Sequence, residues 1–109
     1  MRILVTGASN GIGRAICKKF LGCGHTVIGI DVLDKTIDSV NYSHYIADIF
    51  DGDLPEIEFP DILINNAGVQ DSGRDIDVNL KGTIRITEKY GIHPNIKSVL
   101  FIASASAST

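Results

Sequence analysis

The stretch TGASNGIG, residues 6–13, spaces three glycines among small and polar residues in a way suited to holding an anion. Gly7 would let the chain turn sharply, Gly11 would let main-chain N–H groups approach a pyrophosphate, and Gly13 would let a following helix pack closely on what lies beneath it. Ser9, Asn10 and Ile12 fill the remainder of that cofactor-facing turn. A helix starting here adds its unpaired N–H groups and the positive end of its dipole. Asp31 stands 18 residues beyond Gly13, where a carboxylate can accept hydrogen bonds from the hydroxyls of an adenosine ribose and repel a 2′-phosphate. Asn10 and Val32 offer no cation to bind that phosphate, so the charge pattern favours NAD over NADP. A plain tight turn at 6–13 and an N-cap acid at 31 are the plainer alternatives.

Positioning these groups requires strands and helices in rotation. Short β-branched runs at 2–6, 26–30, 44–47, 61–65 and 98–103 read as strands. They are continuously apolar rather than alternating, as strands covered on both faces of a parallel sheet are. Residues 12–22 place Ile12, Ala15, Ile16 and Phe20 on one helical stripe and stop at Gly22 and Gly24. A second helix is expected from about Arg74 to Tyr90, with Ile76, Leu80, Thr83, Ile84 and Thr87 on one face and Gly91 and Pro94 beyond its end. Residues 32–43 offer at most a turn or two, and the acidic, proline-punctuated 51–60 reads mainly as loop. The expectation is an α/β fold in which a parallel sheet carries helices on both faces. All of 1–109 forms one domain, with no repeat or linker.

Composition narrows the function. A net charge of -3 argues against nucleic acid as the main partner. No apolar run reaches the ~20 residues of a bilayer span, and MRILVTGAS is too short for a signal peptide, which makes no membrane partner and a cytoplasmic location the expectations. Cys17 and Cys23 lack partners at metal-ligand spacing and read as ordinary thiols, with no metal expected. His25, His44 and His93 pair with no acid or thiol at motif spacing and read as structural or solvated.

The spacing T-G-x-x-x-G-x-G at 6–13, together with NNAG at 65–68, resembles the short-chain dehydrogenase/reductase family along the whole chain, as the N-terminal part of its Rossmann-like domain. The resemblance implies five strands in the order 3-2-1-4-5. It implies that Asp48 contacts the adenine with Ile49 as an apolar flank, and that Asn66, Ala67 and Gly68 lie beside the cofactor at the end of the fourth strand. Asn79 in DVNLKGT matches the helical asparagine that holds a water in a proton relay. Ser104 in FIASASAST matches the catalytic serine that hydrogen-bonds the substrate oxygen, with Ser106 and Ser108 as competitors in the alternating register.

The resemblance also implies a Tyr-x-x-x-Lys pair, and none is present: Tyr42 is followed at the fourth position by Ile46, Tyr45 by Ile49 and Tyr90 by Pro94. The expectation is therefore a domain truncated before that segment and inactive alone, whose fifth strand is an uncovered edge prone to association. Only 14 residues separate Asn65 from Asn79, an abbreviated link for this family. The implied activity of the intact enzyme is hydride transfer between NAD and the alcohol or ketone carbon of a small molecule, the implied partners being that substrate and further copies of the chain. Two rivals stand beside it: a non-catalytic NAD(H)-binding sensor, and an NAD-dependent sugar epimerase or dehydratase.

Overall fold

The computed structural model describes residues 1–66 and 75–102, and side chains at all of these except 75–79. The order is β1 (Arg2–Thr6), α1 (Gly11–Gly22), β2 (Thr26–Asp31), β3 (Tyr42–Ile46), β4 (Ile62–Asn65), α2 (Asp75–Tyr90) and β5 (Ser98–Phe101). All five strands are parallel in one sheet of order β3-β2-β1-β4-β5. Each change of direction between β1 and its neighbours therefore brings loops to one edge of the sheet, where the glycine-rich turn lies.

The continuous apolar runs work because both faces of the central strands are covered. Ile3, Val5, Val27 and Ile64 meet Cys17 of α1 on one face; Leu4, Ile28, Ile30 and Leu63 meet Ile86 and Tyr90 of α2 on the other. Burial pushes the Cys17 thiol up to about 12, so it is an apolar filler rather than a thiolate at neutral pH.

Both helices are rotated relative to the stripes expected from sequence. In α1 the buried positions are Gly13 and Cys17; of the expected stripe, Ile16 and Phe20 pack against the core, while Ile12 and Ala15 face outward. In α2 the buried face runs through Gly82, Ile86 and Tyr90, leaving Leu80 and Ile84 exposed. A glycine marks a close approach in both cases. A Cβ on Gly82 would lie 2.6 Å from the Phe50 ring, so the helix comes closest where it has no side chain.

β3 begins at Tyr42, two residues before the run at 44–47, because Tyr42 pairs with Val27 and packs in the α1-side core. Residues 32–41 contain no helix. The loop 51–60, also without a helix, is pinned to α2 instead. Tyr90 donates its hydroxyl to the Pro55 carbonyl at 2.5 Å, Arg85 donates to the Ile49 and Gly52 carbonyls at 2.6 and 2.5 Å, and Lys89 pairs with Glu56. β5 is an edge as expected, with Leu100 and Phe101 exposed. No helix among the described residues is long and apolar enough to cross a membrane.

The opposite end of the sheet is stapled by Asp61. Its carboxylate accepts the Arg2 N–H at 2.8 Å, its N–H donates to the Arg2 carbonyl at 2.8 Å, and its carbonyl accepts the Lys97 N–H at 2.7 Å. The Arg2 main-chain N–H holds the Asp61 carboxyl below its ordinary 3.8, aided by the charges of Lys97, the N-terminus and Arg2. A carboxyl lowered on folding stabilises the fold fully above its unfolded value and loses that contribution as pH falls through the folded one. Asp61→Asn should therefore flatten the fall of the thermal midpoint below about pH 4; a variant whose midpoint follows the parent's throughout the acid range would refute the staple.

Candidate functional site

The site forms where β1, β2 and β4 end. Gly7, at φ 70°, turns the chain out of β1 and donates its N–H to the Ile30 carbonyl at 2.8 Å. On the other side, Asn66 donates its N–H to Thr6 Oγ1 at 3.0 Å and its Nδ2 to the Gly7 carbonyl at 3.3 Å. The turn is thus held from both neighbouring strands. α1 then starts at Gly11, φ 57°, with no side-chain cap and no acid in its first turn. Its first main-chain bond of this kind joins the Arg14 N–H to the Asn10 carbonyl at 3.2 Å, so the N–H groups before it are not spent within the helix. A Cβ on Gly13 would overlap the Gly7 carbonyl oxygen and lie 2.6 Å from Asn66 Nδ2.

Asp31 ends β2 with its carboxylate doubly anchored: Oδ2 accepts the Ser9 N–H at 2.9 Å and Oδ1 the Leu33 N–H at 3.1 Å. This fixes a negative charge beside the glycine turn. Ser9 is buried, and its hydroxyl lies 2.8 Å from the Asp34 carbonyl and 3.3 Å from the Leu33 carbonyl. With its N–H and hydroxyl both engaged inside the protein, Ser9 shapes the turn rather than offering those groups to a ligand. Asn10 and Ile12 are exposed at the start of α1.

Asp48 is exposed and its Oδ1 accepts the Phe50 N–H at 2.9 Å, closing a turn after β3. The Ile49 side chain is only 4% exposed and packs among Leu4, Ile30 and Ile86. The apolar flank expected of it is therefore not supplied by that side chain, because the turn closed by Asp48 drives it into the core. Asn65 is also buried; it donates Nδ2 to Thr87 Oγ1 at 3.4 Å, and its Oδ1 has no hydrogen-bond partner among the described residues. Asn79 lies on α2. Ala67, Gly68 and Ser104 lie outside the described residues.

Thr6 opens the glycine motif without a role of its own in it, and Arg14 and Arg85 carry no motif signal. Thr6 receives Asn66, and Arg14 donates from Nε to Thr36 Oγ1 at 3.2 Å. Arg85 braces the turn that presents Asp48. Among the described residues, no group of three or more His, Cys, Asp or Glu is placed to hold a metal ion.

Residues 3–108 match the model of the NAD dependent epimerase/dehydratase family. The chain is 31% identical to an uncharacterized oxidoreductase of Schizosaccharomyces pombe over 110 residues, covering 83% of this chain and 42% of that protein. It is 34% identical to a UDP-glucose 4-epimerase of Mycolicibacterium smegmatis over 106 residues, covering 81% of this chain and 34% of the relative. It thus spans less than half the length of either. Among solved structures, the closed form of a serine dehydrogenase complexed with NADP+ superposes with a TM-score of 0.75 at 28% identity, over 100% of this chain and 56% of the other.

The close approach at the turn makes a direct prediction. Gly13→Ala should cost about 1–3 kcal/mol of unfolding free energy in a urea titration, because the overlapped partner is main chain and cannot rotate away. Gly22→Ala, where a Cβ meets nothing within 4 Å, serves as the control. Equal stability of the two variants would contradict the packing described here.

Proposed function

The chain belongs to the NAD dependent epimerase/dehydratase family and carries the N-terminal part of a short-chain dehydrogenase/reductase Rossmann fold, and on that premise we propose that it binds NAD in preference to NADP. In the whole protein this binding serves hydride transfer to or from the alcohol or ketone carbon of a small molecule. The nicotinamide, when bound, supplies the hydride acceptor or donor.

The residues at the sheet edge fit such a dinucleotide. Gly13 leaves the space a Cβ would fill, and the uncapped start of α1 presents N–H groups and a positive dipole end toward phosphate. Asp31 accepts the adenosine ribose hydroxyls, Asp48 contacts the adenine, and Asn66, Ala67 and Gly68 border the cofactor. Gly7, Gly11, Asn10 and Ile12 shape and line the phosphate turn. Asn79 orients a water for proton transfer and Ser104 hydrogen-bonds the substrate oxygen, stabilising the charge that develops there.

The observation that carries the NAD preference is the Asp31 carboxylate, fixed by two main-chain N–H groups. A pinned carboxylate cannot swing away from a 2′-phosphate. Arg14, the nearest cation by sequence to the glycine turn, is engaged with Thr36 through Nε and a terminal nitrogen. Exposed Leu80 and Ile84 on α2 and Leu100 and Phe101 on β5 support self-association of the chain.

An epimerase or dehydratase acting on a sugar is the second reading, favoured by the matching family description and the likeness to UDP-glucose 4-epimerase. It uses the same cofactor edge and differs in returning the hydride to the substrate that released it.

Fluorescence titration with NADH and NADPH tests the cofactor reading. Asp31→Ala should weaken NADH binding by roughly tenfold or more, the scale of a lost charged hydrogen bond, and narrow the preference over NADPH; an unchanged preference would remove Asp31 from the assignment. Residues 1–109 should bind NADH without oxidising an alcohol or reducing a ketone, since no Tyr-x-x-x-Lys pair is present. Sustained turnover by this chain would overturn the need for that pair.

A further inference from the structure

The loop that follows Asp31 has nothing apolar to hold it. Val32 is 60% exposed, Leu33 is 51% exposed, and the next buried side chain is Ile37. Its position beside the glycine turn therefore depends on polar contacts: Ser9 Oγ lies 2.8 Å from the Asp34 carbonyl, Thr36 Oγ1 donates to the Ser9 carbonyl at 2.5 Å, and three further contacts meet the main chain of Leu33. The Leu33 N–H donates to Asp31 Oδ1 at 3.1 Å, while the Leu33 carbonyl lies 2.9 Å from His44 Nε2 and 3.3 Å from Ser9 Oγ. One residue is gripped at its donor by the acid and at its acceptor by a histidine from β3.

The histidine is itself fixed. A carbonyl only accepts, so Nε2 carries the proton, and neutral imidazole then leaves Nδ1 as an acceptor. Tyr42 Oη lies 2.6 Å from Nδ1 and is the donor. Burial, with Cys17 and Asp31 adding to it, pushes the Tyr42 phenol well up, which keeps the hydroxyl protonated. Tyr42 and His44 lie on the same face of β3, and Gly29 of β2, the register partner of His44, makes the room: a Cβ there would overlap the Tyr42 hydroxyl and sit 2.7 Å from Ala8 Cβ.

We propose that Tyr42 and His44 are positioning residues for cofactor selection, clamping the Leu33 carbonyl so that Asp31 is held in the orientation that accepts a ribose diol and rejects a 2′-phosphate. The inference rests on the NAD-binding reading above. Neither residue touches the ligand. They act through the loop: releasing the Leu33 carbonyl frees the Leu33 N–H, and the Asp31 carboxylate loses one of its two anchors.

The test uses the whole chain. His44→Ala should raise the NADH dissociation constant about fivefold, the scale of one lost hydrogen bond, with a smaller change for NADPH, so that the ratio of the two narrows. His44→Gln, whose amide can donate to Leu33 and accept from Tyr42, should restore most of the ratio, which a loss of folding alone would not allow. Tyr42→Phe, which keeps the ring in the core, should fall between them. A folded His44→Ala with the parental ratio would overturn the proposal. A second readout needs no ligand: nitrogen NMR of the unsubstituted protein should show His44 as the Nε2–H tautomer, and an Nδ1–H tautomer would equally overturn it. Failure of the unsubstituted protein to bind either cofactor would strike the NAD reading instead, and the tautomer measurement would still decide whether the clamp exists.

Discussion

The contact between α1 and the turn before it governs the rest of this structure. With no Cβ at Gly13, the helix can sit directly against the Gly7 carbonyl. That carbonyl also accepts Asn66 Nδ2 from the end of β4, and the Gly7 N–H reaches the Ile30 carbonyl at the end of β2. The ends of three strands thus meet at one residue. The consequence is mechanical: the start of α1 cannot move relative to the sheet edge without breaking bonds on both sides of β1. An anion-binding helix start is useful only if its N–H groups are fixed before the ligand arrives, because orienting them afterwards would consume binding free energy.

Around this rigid centre the neighbouring loops are held by different means. The loop 51–60 lies against α2 through side-chain donors aimed at main-chain carbonyls, from Arg85 and Tyr90. It also contributes Leu54 and Ile57 to the α2-side core. The loop after Asp31 has no such apolar share before Ile37 and depends on hydrogen bonds alone. Individual hydrogen bonds contribute only about 1 kcal/mol net. Several in series can still set one geometry when each shares a group with the next, as Ser9, Leu33 and Asp31 do.

The elements that sequence reading located best were those with a repeating physical reason. β1, β2 and the two helices came within a residue or two of their observed limits, because β-branched runs and glycine stops mark them. The strand order was legible only through the family resemblance. Less legible were the helix faces and the start of β3. Apolar spacing counts Ile, Leu and Phe, and it finds Ile16 and Phe20 on the core side of α1, but the close approaches at Gly13 and Gly82 register only as gaps in a hydrophobic pattern. Ile49 shows the same limit at the site, since its direction is set by a turn that the sequence does not advertise. Ser9 was recognised as part of the turn, but its partners at 33 and 34 are carbonyl groups, which carry no residue signature. His44 has no acid or thiol at motif spacing and so gives no signal in the sequence beyond a structural or solvated side chain. Its partners are a carbonyl and a tyrosine two residues away on the same strand face.

Gly29 ties these threads together. In a buried central strand a glycine weakens packing and costs conformational entropy. Here the side-chain space it leaves is filled by Tyr42 from β3, whose hydroxyl would collide with any Cβ at 29. Tyr42 thereby spans the β2–β3 junction below the loop and reaches His44 above it. The absence of one side chain in β2 converts an apolar contact between strands into a polar connection that ends at the Asp31 loop. A larger residue at 29 would preserve the sheet register and the hydrophobic pattern while displacing the tyrosine, so its effect would appear at the loop rather than in the strand that carries it.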